Sequence, residues 1–171
     1  DAASEEAHAG WAVLVEGRTI AAVGPVAQLK APPGTRTIDL PGTTLLPGLI
    51  DAHSHVFLHP YNETLWNDQV LKEPLAYRTI AATIHVERTL RAGFTTVRDL
   101  GASDFADVAL MRAIDDGWVP GPRMIPAGHA IGITGGHCDE TGWAPGVLPR
   151  GVEQGIADGP DQVTAAVRHQ A

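Results

Sequence analysis

The sequence is poor in the features that mark several large classes of protein. Among its 171 residues there is a single cysteine, Cys138, which excludes an intrachain disulfide framework and a CxxC zinc motif. Aromatic residues make up 5% of the chain, and 12 Lys and Arg face 20 Asp and Glu, so the net charge is −8 at pH 7. Because no basic cluster is available to meet phosphates, we expect no nucleic-acid partner.

Long hydrophobic runs and targeting signals are also missing. No apolar run approaches the roughly 20 residues that span a bilayer. The visible N-terminus has no charged, apolar and small-residue pattern of a signal peptide. We therefore expect no membrane association and a cytoplasmic location.

The spacing of the apolar residues, which form 44% of the chain, indicates two kinds of structure. Residues 11–46 have the pattern of β-structure. They contain a hairpin signal around Glu16-Gly17-Arg18 and two further short strands on either side of a Pro41-Gly42 turn. The segment between these pairs is predicted to be a loop or a single helical turn.

From residue 47 onward, strand patterns alternate with helix patterns. We predict a buried strand in "LLPGLIDAH" and two more strands in "FTTVRDLG" and "RMIPAG". Helical spacing, with a glycine stop after the first two segments, predicts helices over residues 73–93, 104–117 and 161–171. This alternation is the βα repeat of a parallel sheet, with three units. A Gly-rich loop over residues 128–159 is long enough to be functional.

The motif "LIDAHSH" places two histidines at the end of the first of these strands. Side chains two residues apart share one face of a strand, so Asp51, His53 and His55 lie on the same side. Two imidazoles on one face can bind zinc or a similar divalent ion. The carboxyl end of a parallel strand is also where α/β proteins hold their chemistry. Asp51 lies one step deeper and could accept an imidazole N–H, which would fix the tautomer of a ligand.

Several other residues are weaker candidates, and their residue types leave two readings open. His137 follows a glycine pair that lets the backbone approach a ligand, so it either contacts substrate or is an ordinary loop histidine. His59 could line the mouth of a cleft or be a surface residue. Arg98 and Asp99 either face the strand ends or form a structural ion pair. Exposed, packed or inert positions are expected for His8, His85, His129, His169 and Cys138.

Three motifs together resemble a known family. "LLPGLIDAHSH" is similar to the first-strand signature of the metal-dependent amidohydrolase superfamily. "RAGFTTVRDLG" and "GPRMIPAGHAIGITGGHCD" resemble its imidazolonepropionase-like and prolidase-like branch, which includes enzymes that cleave N-acyl amino acids. The match covers residues 11–171 and corresponds to the N-terminal part of such an enzyme.

The resemblance implies an α/β fold, the N-terminal portion of a (β/α)₈ TIM barrel preceded by a small β-sandwich segment. Residues 1–46 would form the β-sandwich segment, normally completed by the C-terminus. Residues 47–171 would form the first three βα units, truncated before strand 4. It also implies one or two divalent metal ions, usually zinc, bound in part by His53 and His55, with Asp51 behind them.

The implied reaction is hydrolysis of a C–N bond by metal-activated water, in a small amide such as a dipeptide or an N-acyl amino acid. His137 would contact this substrate. The sequence departs from the family pattern because it lacks the bridging lysine of strand 4: its only lysines, Lys30 and Lys72, do not follow barrel strands. No catalytic acid or base is assigned. We expect the remainder of the polypeptide or a homo-oligomer to complete the site; the alternatives are an inactive barrel fragment or assembly module that needs a partner chain, and a single-ion metal-binding module.

Overall fold

The computed structural model describes residues 6–139 and 141–171. The chain divides into two compact units, of which the first ends at Pro47 and the second comprises Gly48–Ala171. Within the described residues, the first unit contains one antiparallel hairpin, with β1 at Trp11–Glu16 and β2 at Thr19–Pro25. A 3₁₀ turn, Val26–Gln28, follows it. The hairpin and the single turn were both predicted.

The two short strands predicted around Pro41-Gly42 are not formed. Residues 29–48 contain turns but no strand, and every residue from 31 to 50 is exposed. The hydrogen bonds in this segment are local: Thr43 Oγ1, for example, donates to the Leu40 carbonyl oxygen at 2.8 Å. A strand needs a neighbour to satisfy its backbone groups, and none of the described strands lies beside this segment. The prediction of a β-pattern was therefore wrong for this part of the chain.

The second unit is built on a parallel three-stranded sheet, as predicted. Its strands are β3 at Leu49–Ser54, β4 at Phe94–Asp99 and β5 at Arg123–Pro126, in the order β3-β4-β5. Among the described residues of this unit, four α-helices accompany them: α1, Trp66–Lys72; α2, Leu75–Arg91; α3, Ala106–Asp115; and α4, Gly159–Gln170. The sequence pattern predicted α2, α3 and α4 but missed the short helix α1.

The core of this unit lies between the sheet and one side of α2 and α3. Val97 of β4 is completely buried, and Ala82 and Val86 of α2 pack against the same cluster. Helix α2 ends at Arg91, and Gly93 adopts a positive φ of 97° that turns the chain into β4. The side of α2 that carries Ala82 and Val86 is therefore buried in the core.

Strand β3 is less buried than its apolar sequence predicts. Leu49 is 46% exposed and Ile50 is 70% exposed. In the part of the chain that the structure describes, β3 pairs only with β4, so one of its edges has no strand beside it. An unbroken apolar run is typical of a strand that is covered on all sides, and here the cover is incomplete.

Candidate active site

The two histidines of the HxH motif lie side by side at the carboxyl end of β3. His53 is in the strand and His55 follows its last residue, Ser54. Their ring centroids are 5.4 Å apart with an angle of 74° between the rings, and both residues are exposed. Bonds from zinc to a histidine nitrogen are about 2.0–2.1 Å long. Rings that share one ion must be neighbours of this kind, so the pair fits half of a zinc site.

An irregularity in the sheet lies at the motif itself. Asp51 pairs with Val97 and Ser54 pairs with Asp99, so β3 takes three steps where β4 takes two. The extra residue is a bulge, and bulges re-aim the side chains that they carry. His53 lies inside this bulge. Its direction therefore depends on the bulge as well as on simple strand alternation.

Asp51 supports this irregular backbone. Its Oδ1 atom accepts a hydrogen bond from the backbone N–H of His53 at 3.1 Å. The sequence had suggested that Asp51 accepts a hydrogen bond from an imidazole ring, but the donor is the main chain. The carboxylate thus holds the bulged peptide group that carries His53.

The surroundings of His55 favour its neutral form. Although His55 is exposed at the surface, its partial burial lowers its pKa, and the neighbouring imidazole of His53 lowers it further, while a hydrogen bond with the backbone of Gly101 opposes these effects. The imidazole of His137 also lowers this pKa. A neutral imidazole is the form that ligates metals. His137, predicted from the Gly-rich loop, is therefore within electrostatic reach of the histidine pair.

The loop that carries His137 is held by specific bonds. Gly135, at a positive φ of 73°, donates its N–H to Oδ2 of Asp139 at 2.8 Å. Asp139 is 4% exposed, and its other oxygen lies 3.4 Å from Nε of Arg150. The exposed His137 lies between these fixed points. The predicted long loop is thus tied down where it passes the end of β3.

A cleft of about 600 Å³ opens beside the end of β3. Its wall includes His55 together with His59 and His85, whose rings meet edge to face at 5.3 Å. His59 Nε2 lies 3.4 Å from Oε2 of Glu73, and both are about one-fifth exposed. His59 therefore lines a cleft, which was one of its two predicted positions, and His85 is packed, as expected.

The buried amide of Gln69 organises the loop at this cleft, and the sequence analysis missed it. Gln69 is completely buried in α1. Its Oε1 accepts the N–H of His59 at 2.6 Å, and its Nε2 donates to the carbonyl oxygens of His59 and Thr64. The only signal in the sequence was a lone glutamine in a short amphipathic stretch, which is too common to be diagnostic.

Asp99 has a structural role, but not in an ion pair. Arg98 is exposed whereas Asp99 is completely buried, because successive strand residues point to opposite faces. Oδ1 of Asp99 accepts the backbone N–H of Val56 at 2.8 Å. Burial raises the pKa of Asp99 to about 7, an effect opposed by the bond from Val56 and reinforced by the carboxylate of Asp107.

Asp99→Asn should change how stability depends on pH. The pKa of Asp99 is about 7 when folded and about 3.9 when unfolded, so the folded protein binds the extra proton between these values. The contribution of Asp99 to stability therefore falls as pH rises from about 4 to about 7. Asparagine cannot ionise, so the variant does not lose this contribution. Its free energy of unfolding, relative to that of the wild type, should therefore rise between about pH 4 and about pH 7 and stay constant above that range. Urea unfolding at several pH values measures this, and a difference that is flat from about pH 4 to about pH 8 would contradict the assignment.

The remaining candidate residues contact aromatic rings or are partly buried. The ring of His8 stacks on Trp11 at 4.2 Å, and His129 meets Phe105 edge to face at 5.1 Å. His169 is exposed beside the same Phe105, and Cys138 is a half-buried free thiol. These positions agree with packing or surface roles.

The grouping of potential ligands limits what this site can bind. Across residues 6–139 and 141–171, no three or more His, Cys, Asp or Glu side chains are grouped so that they could hold a metal ion. The histidine pair could therefore supply only part of a ligand set.

None of the helices in residues 6–139 and 141–171 has the length and apolar character needed to cross a bilayer.

Known proteins resemble this chain in sequence and in structure. Ochratoxinase from Aspergillus niger is 31% identical over 181 aligned positions, which cover 93% of this chain and 35% of the ochratoxinase. The solved structure of a Xaa-Pro dipeptidase with methionine bound in its active site has a TM-score of 0.79 and 33% identity, covering 94% of this chain and 39% of the dipeptidase. A prolidase complexed with N-methylphosphonate-L-proline has a TM-score of 0.70 and 31% identity, with coverages of 92% and 38%.

The chain thus spans little more than a third of the length of these relatives. The model of the amidohydrolase family matches residues 44–170, which include both histidines, all three parallel strands and the His137 loop. This match confirms the resemblance that the three motifs had indicated. The chain belongs to the amidohydrolase family.

Proposed function

We propose that this chain is the N-terminal part of a divalent-metal-dependent hydrolase that cleaves the C–N bond of small amides, such as dipeptides or N-acyl amino acids. The observation that carries the proposal is the pair of imidazoles, His53 and His55, side by side at the carboxyl end of a parallel strand. The similarity to a Xaa-Pro dipeptidase, a prolidase and an ochratoxinase supports hydrolysis of this type.

The same proposal extends to the fold. Three parallel strands with helices between them are compatible with the first part of a (β/α)₈ barrel, and the hairpin with part of a β-sandwich. Relatives more than twice as long as this chain contain the additional length that such a barrel requires. The missing metal ligands and a catalytic acid or base would lie in that additional part.

In this proposal the chain's own residues bind the metal ion, orient its ligands and contact the substrate. His53 and His55 would hold one divalent ion, and their nitrogen ligands favour zinc. When bound, such an ion supplies a nucleophile from water at neutral pH and polarises a carbonyl. Asp51 keeps the bulged backbone of His53 in place. His137 would donate a hydrogen bond to the substrate, at its carbonyl or its carboxylate.

The experiment that tests the proposal is a hydrolysis screen with the full-length protein. Xaa-Pro dipeptides, other dipeptides and N-acyl amino acids would be incubated with the zinc-loaded protein, and the released amino acid would be quantified. We expect turnover of at least one of these classes. Cleavage of esters or phosphoesters without cleavage of any amide would contradict the proposed bond specificity.

His137→Ala should lower activity without releasing metal. A lost hydrogen bond to a charged group costs about 1.5–3 kcal/mol, which corresponds to a decrease of about 10- to 150-fold in kcat/KM. The zinc content of the full-length protein should stay level because His137 is assigned to substrate. Metal analysis and steady-state kinetics on the same preparation measure both quantities. Loss of zinc would make His137 a ligand, and no change in either would return it to an ordinary loop position.

A second candidate function is an assembly module without activity of its own. It is favoured by the exposed apolar surface of the second unit, in which Tyr77, Ile80 and Ile84 of α2 lie near one another along the helix and are between 46% and 70% exposed. Exposed apolar surface of this kind marks a site of association. A full-length protein that binds no metal and cleaves none of the amides would favour this candidate.

A further inference from the structure

The backbone of Val56, the residue directly after His55, is held at both ends by side chains. Its N–H donates to Oδ1 of Asp99 at 2.8 Å, and its carbonyl oxygen lies 2.8 Å from Nδ1 of His85. Asp99 comes from the end of β4 and His85 from the middle of α2. We call this arrangement of Asp99, Val56 and His85 the Val56 clamp.

The chemical roles within the clamp are fixed by the groups involved. A carbonyl oxygen only accepts hydrogen bonds, so His85 must carry its proton on Nδ1 and donate it. His85 is half-buried. Asp99 acts as the acceptor for the Val56 N–H. Each of the two side chains therefore contributes one directional bond to Val56, and Asp99 also has a hydrogen bond with the backbone of Gly101.

The clamp replaces sheet pairing at the point where that pairing stops. The last paired residue of β3 is Ser54, and its carbonyl oxygen accepts the N–H of Leu100 at 2.9 Å. Val56 is only 4% exposed, and none of the strands in the described part of the chain pairs with its backbone. Buried backbone groups without partners cost free energy. The clamp supplies both partners: the peptide group between His55 and Val56 is tied to β4 through Asp99, and the peptide group that follows Val56 is tied to α2 through His85.

We propose that Asp99 and His85 are positioning residues that fix the direction of the His55 imidazole through the backbone of Val56. The inference rests on the proposed function, because it treats His55 as a metal ligand. Neither residue is assigned contact with the metal or the substrate. The clamp links the ligand to α2 and β4, two elements that carry the core of the unit. Outer groups that orient metal ligands typically contribute about 10- to 100-fold to metal affinity or activity.

His85→Asn and His85→Gln form a matched pair that tests the clamp. The amide nitrogen of asparagine occupies the place of Nδ1 and can still donate to the Val56 carbonyl, whereas that of glutamine extends to the place of Nε2. In the full-length protein, zinc affinity would be measured by competition with a chelating dye, and the absorption spectrum would be recorded with Co²⁺ in place of zinc. We expect His85→Gln to weaken zinc binding by about 10- to 100-fold and to alter the cobalt spectrum, and His85→Asn to stay close to the wild type.

Asp99 supplies a second pair of variants. Asp99→Asn keeps an oxygen that accepts the Val56 N–H, whereas Asp99→Leu removes it with an apolar side chain of the same branching. We expect zinc affinity to be retained in the first and lowered in the second. If Asp99→Leu does not fold, the two His85 variants still test the Val56 clamp, because asparagine and glutamine are both polar and compatible with a helix.

The outcomes separate the clamp from the proposed function. If the wild type binds zinc and His53→Ala does not, but His85→Gln has wild-type zinc affinity and an unchanged cobalt spectrum, the clamp is overturned and the proposed function stands. If His85→Asn is impaired as strongly as His85→Gln, the donor at Nδ1 is not what matters, and the clamp is again overturned. If the wild type binds no zinc, both the proposed function and the clamp are overturned. A purely structural role for His85 would lower the urea midpoint without changing the cobalt spectrum.

Discussion

Replacing His53 with alanine should remove bound metal and hydrolytic activity together from the full-length protein. The two rings of the HxH motif are 5.4 Å apart, and no larger group of potential metal ligands exists in the described part of this chain. Each ring is therefore a large share of the metal ligands that this chain supplies. Loss of a residue that only supports a ligand costs about 10- to 100-fold in metal affinity or activity. We therefore expect loss of the ligand itself to exceed about 100-fold in both.

His8→Ala is the control for this experiment. It is the same chemical change at an exposed histidine that stacks on Trp11 and has no part in the proposed site. Zinc content and the rate of amide hydrolysis would be measured on all three proteins in parallel. A His53→Ala protein with full metal occupancy and the wild-type rate would exclude His53 as a ligand.

Residues 1–171 produced alone should be inactive and should self-associate. The histidine pair offers two nitrogen ligands, and a catalytic zinc site takes three from the protein. Strand β3 also presents an edge that no described strand covers, and the apolar face of α2 near Ile80 and Ile84 is exposed. Unpaired edges and exposed apolar faces promote association between chains.

Light scattering coupled to size-exclusion chromatography measures this association against the chain mass of 18.0 kDa. Ile80→Glu and Ile84→Glu should shift the population toward the monomer, because they place charge on the exposed face of α2. Val167→Glu introduces the same charge at an exposed apolar position of α4 and should leave association unchanged. A monodisperse, catalytically active 18.0 kDa monomer would contradict both parts of the prediction.

Much of the fold could be predicted because its signals are local. The hairpin is marked by two apolar runs around Gly17, and α2 by helical spacing that ends at Gly93, where a positive φ is required. Helix α1 was missed because its seven residues are too few to establish a period. The supposed strands around Pro41-Gly42 show the opposite error, since residues with strand propensity form no strand without a neighbour to pair with.

The candidate site was predictable only in part. Alternation along a strand predicted that His53 and His55 are neighbours, and Gly135 and Gly136 marked the loop of His137. The bulge in β3 could not be read from the sequence, because it arises from the pairing with β4. The Val56 clamp was equally hidden, since Asp99 and His85 lie 43 and 29 residues further along the chain and carry no motif that links them to Val56.

The central claim is that this chain contributes metal ligands to an amide hydrolase. Its most direct test is the rate at which the full-length protein hydrolyses a panel of dipeptides and N-acyl amino acids before metal removal, after dialysis against a chelator, and after zinc is restored. We predict hydrolysis of at least one compound, its loss on chelation and its recovery with zinc. An undiminished rate in the metal-free protein would contradict the claim.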